Sequence, residues 1–194
     1  MGGYGEGGQI SSAEIFNPTK GHSCPGGHLS QARHAHTLCN RMVCGGFSTE
    51  TSQSCELYDP SSTYTSLPVT LLHRRSYHLC WGLPNGDVLL LGGAYSASSL
   101  ETTERVSADG STSSADFNLV SGISFACGME VDYAGSNSFF VIGGDNSLGQ
   151  AVKTVTEYTE SGFRRSIQDI NTGRRNHACS TFRNTNGDAV SVNC

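Results

Sequence analysis

Histidine and cysteine recur close together in this sequence, at a spacing that could hold a metal ion. Cys39 follows His36 by three residues. The other spacings are two residues, for Cys80 after His78, Cys127 after Phe125 and Cys179 after His177. Alternate residues of a strand point to one face, and zinc is bound by thiolate and imidazole. Free cysteine is also a common small apolar side chain in crowded strands. We favour that second interpretation, because no Cys-x-x-Cys spacing is present, and we predict neither a metal nor another cofactor.

Arginine and glutamate recur in the same order along the chain. An Arg-x-x-His motif occurs at Arg33 to His36, Arg75 to His78 and Arg174 to His177, and Gly122 and Phe125 take these places in the third repeat. The recurrent glutamates are Glu14, Glu56, Glu104 and Glu157. Catalytic residues are expected once in a chain, whereas these are periodic. They therefore predict structural bonds from arginine to a carbonyl or carboxylate between repeat units, and no enzymatic activity.

Diglycines mark the period of the repeat. They are Gly2-Gly3, Gly45-Gly46, Gly92-Gly93 and Gly143-Gly144, and their second glycines lie 43, 47 and 51 residues apart. The apolar runs VLLL and FFVI before two of them are too short for helices and predict buried strands. We expect four strands per unit, which carry in turn Arg-x-x-His, the diglycine, the glutamate and an aromatic residue. The aromatic residues are Tyr64, Phe117 and Phe163. A period of this length indicates a repeat architecture whose units must stack.

Composition narrows the choice of partner. Charged residues make up 15% of the chain and its formal net charge is −5, which argues against a nucleic-acid surface. The apolar runs are far shorter than a membrane span, so we expect no membrane insertion.

The diglycine, the glutamate run and Arg-x-x-His together resemble kelch repeats of β-propellers over essentially all 194 residues. The cysteines near them are similar to those of divergent attractin-like and muskelin-like kelch arrays. The resemblance implies an all-β fold with about four blades of four antiparallel strands, in one domain with approximate units 1–31, 32–72, 73–121, 122–172 and 173–194. We favour an incomplete arc of a larger propeller, completed by the remaining blades or domains of the full-length protein. A closed four-bladed ring is the alternative, because the two ends carry complementary strands.

The resemblance also implies where a ligand would bind. Ligands of similar propellers meet residues just after the diglycine and within Arg-x-x-His, which here are His34, Phe47, Tyr77, Ala94, Asp145 and Asn176. We therefore predict a non-catalytic interaction module that binds a protein or peptide through its loops. The alternatives are the propeller of a galactose-oxidase-like or carbohydrate-acting enzyme, and a ubiquitin-ligase substrate adaptor.

Two cysteines flank a predicted hairpin loop. Cys44 and Cys55 fall on the second and third strands of one unit, where facing side chains come close enough to bond. A cross-strand disulfide is one interpretation; two independent thiols, or a bond from Cys24 to Cys44, are the others. The eight cysteines favour an extracellular location for the full-length protein. The alternative is the cytoplasm, since the N-terminal residues lack a signal-peptide pattern.

Overall fold

The chain folds into antiparallel β-sheets. The computed structural model describes residues 1–48, 53–58, 64–133, 136–162, 164–183 and 189–193, and these form no helix. In those residues the strands are β1 (Tyr4–Gly5), β2 (Gly8–Gln9), β3 (Ser12–Asn17), β4 (His22–His28), β5 (Thr37–Cys39), β6 (Met42–Cys44), β7 (Ser54–Tyr58), β8 (Tyr64–Thr70), β9 (Leu79–Gly82), β10 (Val88–Leu91), β11 (Ala94–Tyr95), β12 (Ser98–Ser99), β13 (Thr102–Val106), β14 (Ser113–Asn118), β15 (Cys127–Tyr133), β16 (Ser136–Ile142), β17 (Val155–Thr159), β18 (Arg164–Ser166), β19 (Cys179–Arg183) and β20 (Ala189–Asn193). A search of this part of the chain finds no helix that could span a membrane.

Three four-stranded sheets share one strand order. In the first sheet (β5–β8), the second sheet (β9, β10, β13 and β14) and the third sheet (β15–β18), each strand pairs antiparallel with the next. Two antiparallel pairs, β3 with β4 and β19 with β20, precede and follow them along the chain, and the short pairs β1 with β2 and β11 with β12 complete the pairing of the described strands. Phe163 and Cys194 lie outside the described residues, as does the side chain of Tyr64.

The Arg-x-x-His motif lies just before the first strand of its unit, whereas the sequence placed it inside that strand. His78, for example, directly precedes β9. The reason is the third residue of the motif, which has a positive φ that no extended strand allows: Tyr77 has a φ of 52°. Ala35 and Asn176, the equivalent residues of the two other motifs, have φ values of 55° and 52°. Left-handed conformations are uncommon for residues other than glycine.

These left-handed residues join successive units through their backbones. The amide of Tyr77 donates to the carbonyl of Ala35 at 2.9 Å, the amide of Phe125 to Tyr77 at 3.1 Å, and the amide of Asn176 to Phe125 at 3.0 Å. We call this series the amide ladder. The first strands also contact each other, β5 with β9, β9 with β15 and β15 with β19. Neighbouring units therefore meet along their first strands.

The diglycines supply a second contact between units. The amide of Gly46 donates to the carbonyl of Arg75 in the next unit at 2.9 Å. Gly45 has a φ of 61°, and a Cβ atom there would lie 2.5 Å from that same carbonyl oxygen. Only glycine fits such an approach without strain. The equivalent bonds run from Gly3 to Arg33, from Gly93 to Ile123 and from Gly144 to Arg174.

This contact corrects the alignment of the third repeat. Gly93 bonds to the carbonyl of Ile123, so Ile123 and not Gly122 stands in the arginine place. A Cβ atom on Gly144 would meet the Cβ of Ala126, as one on Gly93 would meet that of His78, so Ala126 and not Phe125 stands in the histidine place. The sequence alone gives an alignment that is wrong by one residue, because the apolar residues Ile123 and Ala126 replace the arginine and histidine of the motif.

Two of the recurrent arginines form buried ion pairs with recurrent glutamates. Arg33 lies 2.6 Å from Glu56, and Arg75 lies 3.1 Å from Glu104, with these side chains at most 1% exposed. Arg75 also donates to the carbonyls of Gly92, at 2.6 Å, and Thr102, at 3.2 Å. The pairs lie within one unit, not between units as the sequence suggested. The link between units comes from the arginine's own backbone carbonyl, which accepts from the preceding diglycine.

The remaining recurrent residues, Glu14, Glu157 and Arg174, do not form ion pairs with one another. Glu157 pairs with Arg165 of β18 at 2.6 Å, because Ile123 supplies no guanidinium. Among the described residues, neither Glu14 nor Arg174 forms an ion pair with a carboxylate or cation. Among the described residues, the buried pair between the arginine before the first strand and the glutamate of the third strand thus occurs in the first and second sheets.

Apolar side chains fill the spaces between sheets. The largest buried cluster lies between the second and third sheets, where Trp81 stacks on Phe139 with ring centroids 5.4 Å apart. A second cluster, which includes Met42, Leu90 and Val106, lies between the first and second sheets. Burial of one such side chain contributes roughly 1.5–3 kcal/mol.

Disulfides connect first strands, which corrects the expectation of free thiols there. Cys39 bonds to Cys80 and Cys127 to Cys179, with Cα atoms 6.2 and 5.9 Å apart. The cause is the contact between neighbouring first strands, which a single strand pattern does not reveal. Cys44 and Cys55 also bond, across β6 and β7, with Cα atoms 4.2 Å apart. Cys24 is free and exposed.

The buried ion pair yields a first prediction. Arg75→Met should lower the free energy of unfolding by about 3–5 kcal/mol, because Glu104 is left buried without its cation. Urea unfolding followed by circular dichroism measures the change. The matched control is Arg74→Met, one residue earlier and exposed, for which we expect little change. Equal losses in the two variants would contradict a stabilising role for the pair.

The disulfide pattern yields a second prediction. Digestion of the folded, oxidised protein without reductant should release one peptide pair that contains Cys39 with Cys80 and another that contains Cys127 with Cys179. Among the cysteines that the structure describes, Cys24 should be the one that iodoacetamide labels before reduction. A bond from Cys24 to Cys44, found by mass spectrometry, would contradict the pairing described here.

Candidate functional site

Short backbone bridges gather the predicted binding residues at one end of the sheets. His34 pairs with Phe47, and the equivalent residues of the next two units pair as Ser76 with Ala94 and Ser124 with Asp145. Each bridge joins the residue after the arginine place to the residue after the diglycine. Positions some 13 to 21 residues apart in sequence thereby become neighbours.

Four of the six predicted binding residues line one cleft. Phe47, Tyr77, Ala94 and Asp145 come from three successive units and surround a space of about 520 Å³. This volume lies within the roughly 300–1,000 Å³ that is typical of small-ligand pockets.

The other two predicted residues lie beside the cleft. The ring of His34 contacts Phe47 and Tyr77, with centroids 5.4 and 6.3 Å apart. Asn176 is exposed and borders a shallow depression that Tyr77 and Phe125 also line. All six residues therefore lie on one continuous surface.

Aromatic side chains form much of the wall of the cleft. Tyr77 and Phe125 pack with centroids 4.0 Å apart, and both line the cleft. Phe47 and Tyr95 are 56% and 51% exposed. Sequence reasoning missed Phe125, because the misaligned third repeat assigned it to the histidine place. It missed Tyr95 because no repeated feature marks that hairpin, although an exposed aromatic residue next to Ala94 was a usable signal.

Asp145 is the buried charge of the site. It is 4% exposed, and its Oδ2 accepts a hydrogen bond from Arg175 at 2.7 Å. Its Oδ1 is buried and has no hydrogen-bond partner in the described part of the chain. The strand bridge to Ser124 holds its backbone in place.

Recurrent histidines underlie the depression next to the cleft. His36, His78 and His177 all line it. Burial lowers the pKa of His36 to about 4, and the positive charge of Arg33 adds to the shift. Burial also lowers the pKa of His78 well below its usual range, with Arg75 contributing. Neutral His78 shares a 2.8 Å hydrogen bond with the hydroxyl of Thr37 in the preceding unit.

The histidines and cysteines do not assemble into a metal site in the residues that the structure describes. No three potential ligands come together there. The four cysteines near the histidines are consumed by the two disulfides between first strands, and a disulfide sulfur is not the thiolate that zinc requires.

Comparison with known proteins adds no family assignment. No protein-family model matches the chain, and no curated protein matches its sequence.

The buried histidines yield a third prediction. The folded pKa of His36 lies below its ordinary value of 6.5, so the unfolded chain takes up protons first as the pH falls. The free energy of unfolding should therefore decrease as the pH is lowered from about 6.5 to about 4. Urea titrations across this range measure the slope. His36→Gln should make the slope shallower, whereas the same change at exposed His22 should leave it intact. A free energy of unfolding that rises toward acid would contradict this account.

Proposed function

We propose that this chain is a kelch-type β-propeller segment, an arc of a larger propeller, that binds a protein or peptide without catalysis. Three features support the kelch assignment: the repeated diglycine, the repeated strand order and the contact between successive first strands. Contact along first strands is the arrangement that blades adopt around a central axis. Further blades of the full-length protein would cover the two end pairs of strands.

The single observation that carries the binding proposal is the convergence of residues on the cleft. Phe47, Ala94 and Asp145 occupy repeat-equivalent places in three units, and together with Tyr77 they surround one space. Exposed aromatic residues around a buried centre are typical of binding hot spots. Loops at the end of a rigid sheet scaffold are a common place for such sites.

Two further features fit an extracellular interaction module. Two disulfides join neighbouring units and a third lies within the first sheet, and such bonds persist in oxidising compartments. The charged residues with catalytic potential, Arg33, Arg75, Glu56 and Glu104, are committed to buried ion pairs. The proposal therefore assigns them to stability and assigns binding to the aromatic cleft.

Selection from a random peptide display library tests the binding proposal. We expect the oxidised protein to enrich peptides whose binding, measured by biolayer interferometry, falls at least about tenfold in Phe47→Ser, the loss of one good aromatic contact. Phe16→Ser is the matched control, because Phe16 is 64% exposed on β3 and lies outside the cleft. Enriched peptides that bind both variants equally would contradict the assignment of this cleft.

A further inference from the structure

We propose that the cleft recognises a cationic side chain of its partner, an arginine or lysine, held between the aromatic wall and the carboxylate of Asp145. This inference rests on the binding function proposed above and specifies the chemistry of the bound segment. It follows from two properties of the cleft: a half-satisfied buried acid and exposed aromatic faces.

The acid is the first property. Asp145 lines the cleft and is 4% exposed, yet its Oδ1 accepts no hydrogen bond in the described part of the chain. A buried polar atom without a partner costs free energy, and a ligand that brings an N–H donor removes that cost. Arg175 already binds the other oxygen at 2.7 Å through one guanidinium nitrogen. The carboxylate thus accepts a guanidinium on one side, and its buried Oδ1 has capacity for a second cation once the side chain turns toward the cleft.

The aromatic wall is the second property. Tyr77 and Phe125 lie against each other at the base of the cleft, and Phe47 and Tyr95 are about half exposed around it. The faces of aromatic rings attract cations, and the attraction strengthens where water is excluded. Ring faces and a buried carboxylate together favour a charged side chain with an apolar stem over a purely apolar one.

Several polar side chains of the cleft already form hydrogen bonds within the protein. The hydroxyl of Ser76 donates to the carbonyl of Ala94 at 3.3 Å. That of Ser99 lies 2.8 Å from the hydroxyl of Ser124 and within 3.1 Å of the carbonyl of Asp145. These hydroxyls are therefore engaged within the protein. Arg74 is the opposing charge: it is exposed, lines the cleft and forms no ion pair among the described residues. Removing the charge of Arg74 should strengthen the binding of a cationic ligand and weaken the binding of an anionic one.

Matched small probes test the inference on the oxidised protein. Nα-acetyl-arginine amide and its neutral isostere Nα-acetyl-citrulline amide are titrated separately and followed by ¹H–¹⁵N chemical shifts. We expect the arginine probe to shift the amides of Tyr77 and Asp145 and to bind at least about tenfold more tightly than the citrulline probe. Equal affinity for the two probes would overturn the inference, as would tighter binding of Nα-acetyl-glutamate amide.

Three variants test the individual charges, with the free energy of unfolding measured for each. Asp145→Asn should weaken binding of the arginine probe about tenfold, because the hydrogen bond from the probe then goes to a neutral amide instead of a charged carboxylate. Arg74→Gln and Arg175→Gln should each strengthen it, because each removes a competing positive charge while the carboxylate stays. The arginine variants keep the test valid if Asp145→Asn fails to fold. Weaker binding in Arg74→Gln would overturn the inference, since only an anionic ligand needs that cation.

The library selection separates failure of this inference from failure of the proposed function. Enriched peptides that depend on Phe47 and carry a basic residue support both. Enriched peptides that depend on Phe47 but lack a basic residue overturn the cationic inference and leave the binding function intact. Peptides indifferent to Phe47 overturn both.

Discussion

The rest of the structure depends on the bonds made by the buried arginine that precedes the first strand of a sheet. The guanidinium of Arg75 ties together the end of β10, the start of β13 and the carboxylate of Glu104 within one sheet. Its backbone carbonyl meanwhile accepts the amide of Gly46 from the preceding unit. Because one residue makes both sets of bonds, the position of each sheet and the contact with its neighbour are fixed together. The next residues along the chain, Ser76 and Tyr77, are thereby placed in the cleft.

The third unit shows how this arrangement tolerates the loss of the arginine. Ile123 takes its place and joins the largest apolar cluster, and Glu157 pairs with Arg165 instead. The junction between the second and third sheets has no disulfide among the described residues, but it holds the Trp81–Phe139 stack. Disulfides join the units on either side. Disulfides and aromatic packing thus alternate from one junction between units to the next. Replacing a buried ion pair by apolar contacts need not cost stability.

The local structure could be predicted from the sequence, because each unit repeats its own signals. Diglycines after short apolar runs predicted the second strands, and the periodic Arg33, Glu56, Arg75 and Glu104 predicted structural bonds. Contacts between units could not be predicted, since they depend on which first strands become neighbours. The sequence therefore missed the bond between Cys39 and Cys80. It also misaligned the third unit, whose true register is visible in contacts between units such as the bond from Gly93 to Ile123.

The site was predictable to a similar extent. The residues after each diglycine share a place in the repeat, so their spacing alone groups Phe47, Ala94 and Asp145. The burial of Asp145 and its unpartnered oxygen depend on side chains from the next unit, and no spacing encodes them. The charge preference of the cleft therefore follows from the folded arrangement and not from the repeat pattern.

The amide ladder continues from the buried arginine: it joins the units and orients Tyr77 and Phe125 toward the cleft. Through-hydrogen-bond scalar couplings in a deuterated, ¹³C,¹⁵N-labelled sample test it most directly. We predict couplings from the amide of Tyr77 to the carbonyl of Ala35, from Phe125 to Tyr77 and from Asn176 to Phe125. Couplings from Tyr77 and Phe125 to other carbonyls, or rapid solvent exchange of both amides in the folded protein, would contradict it.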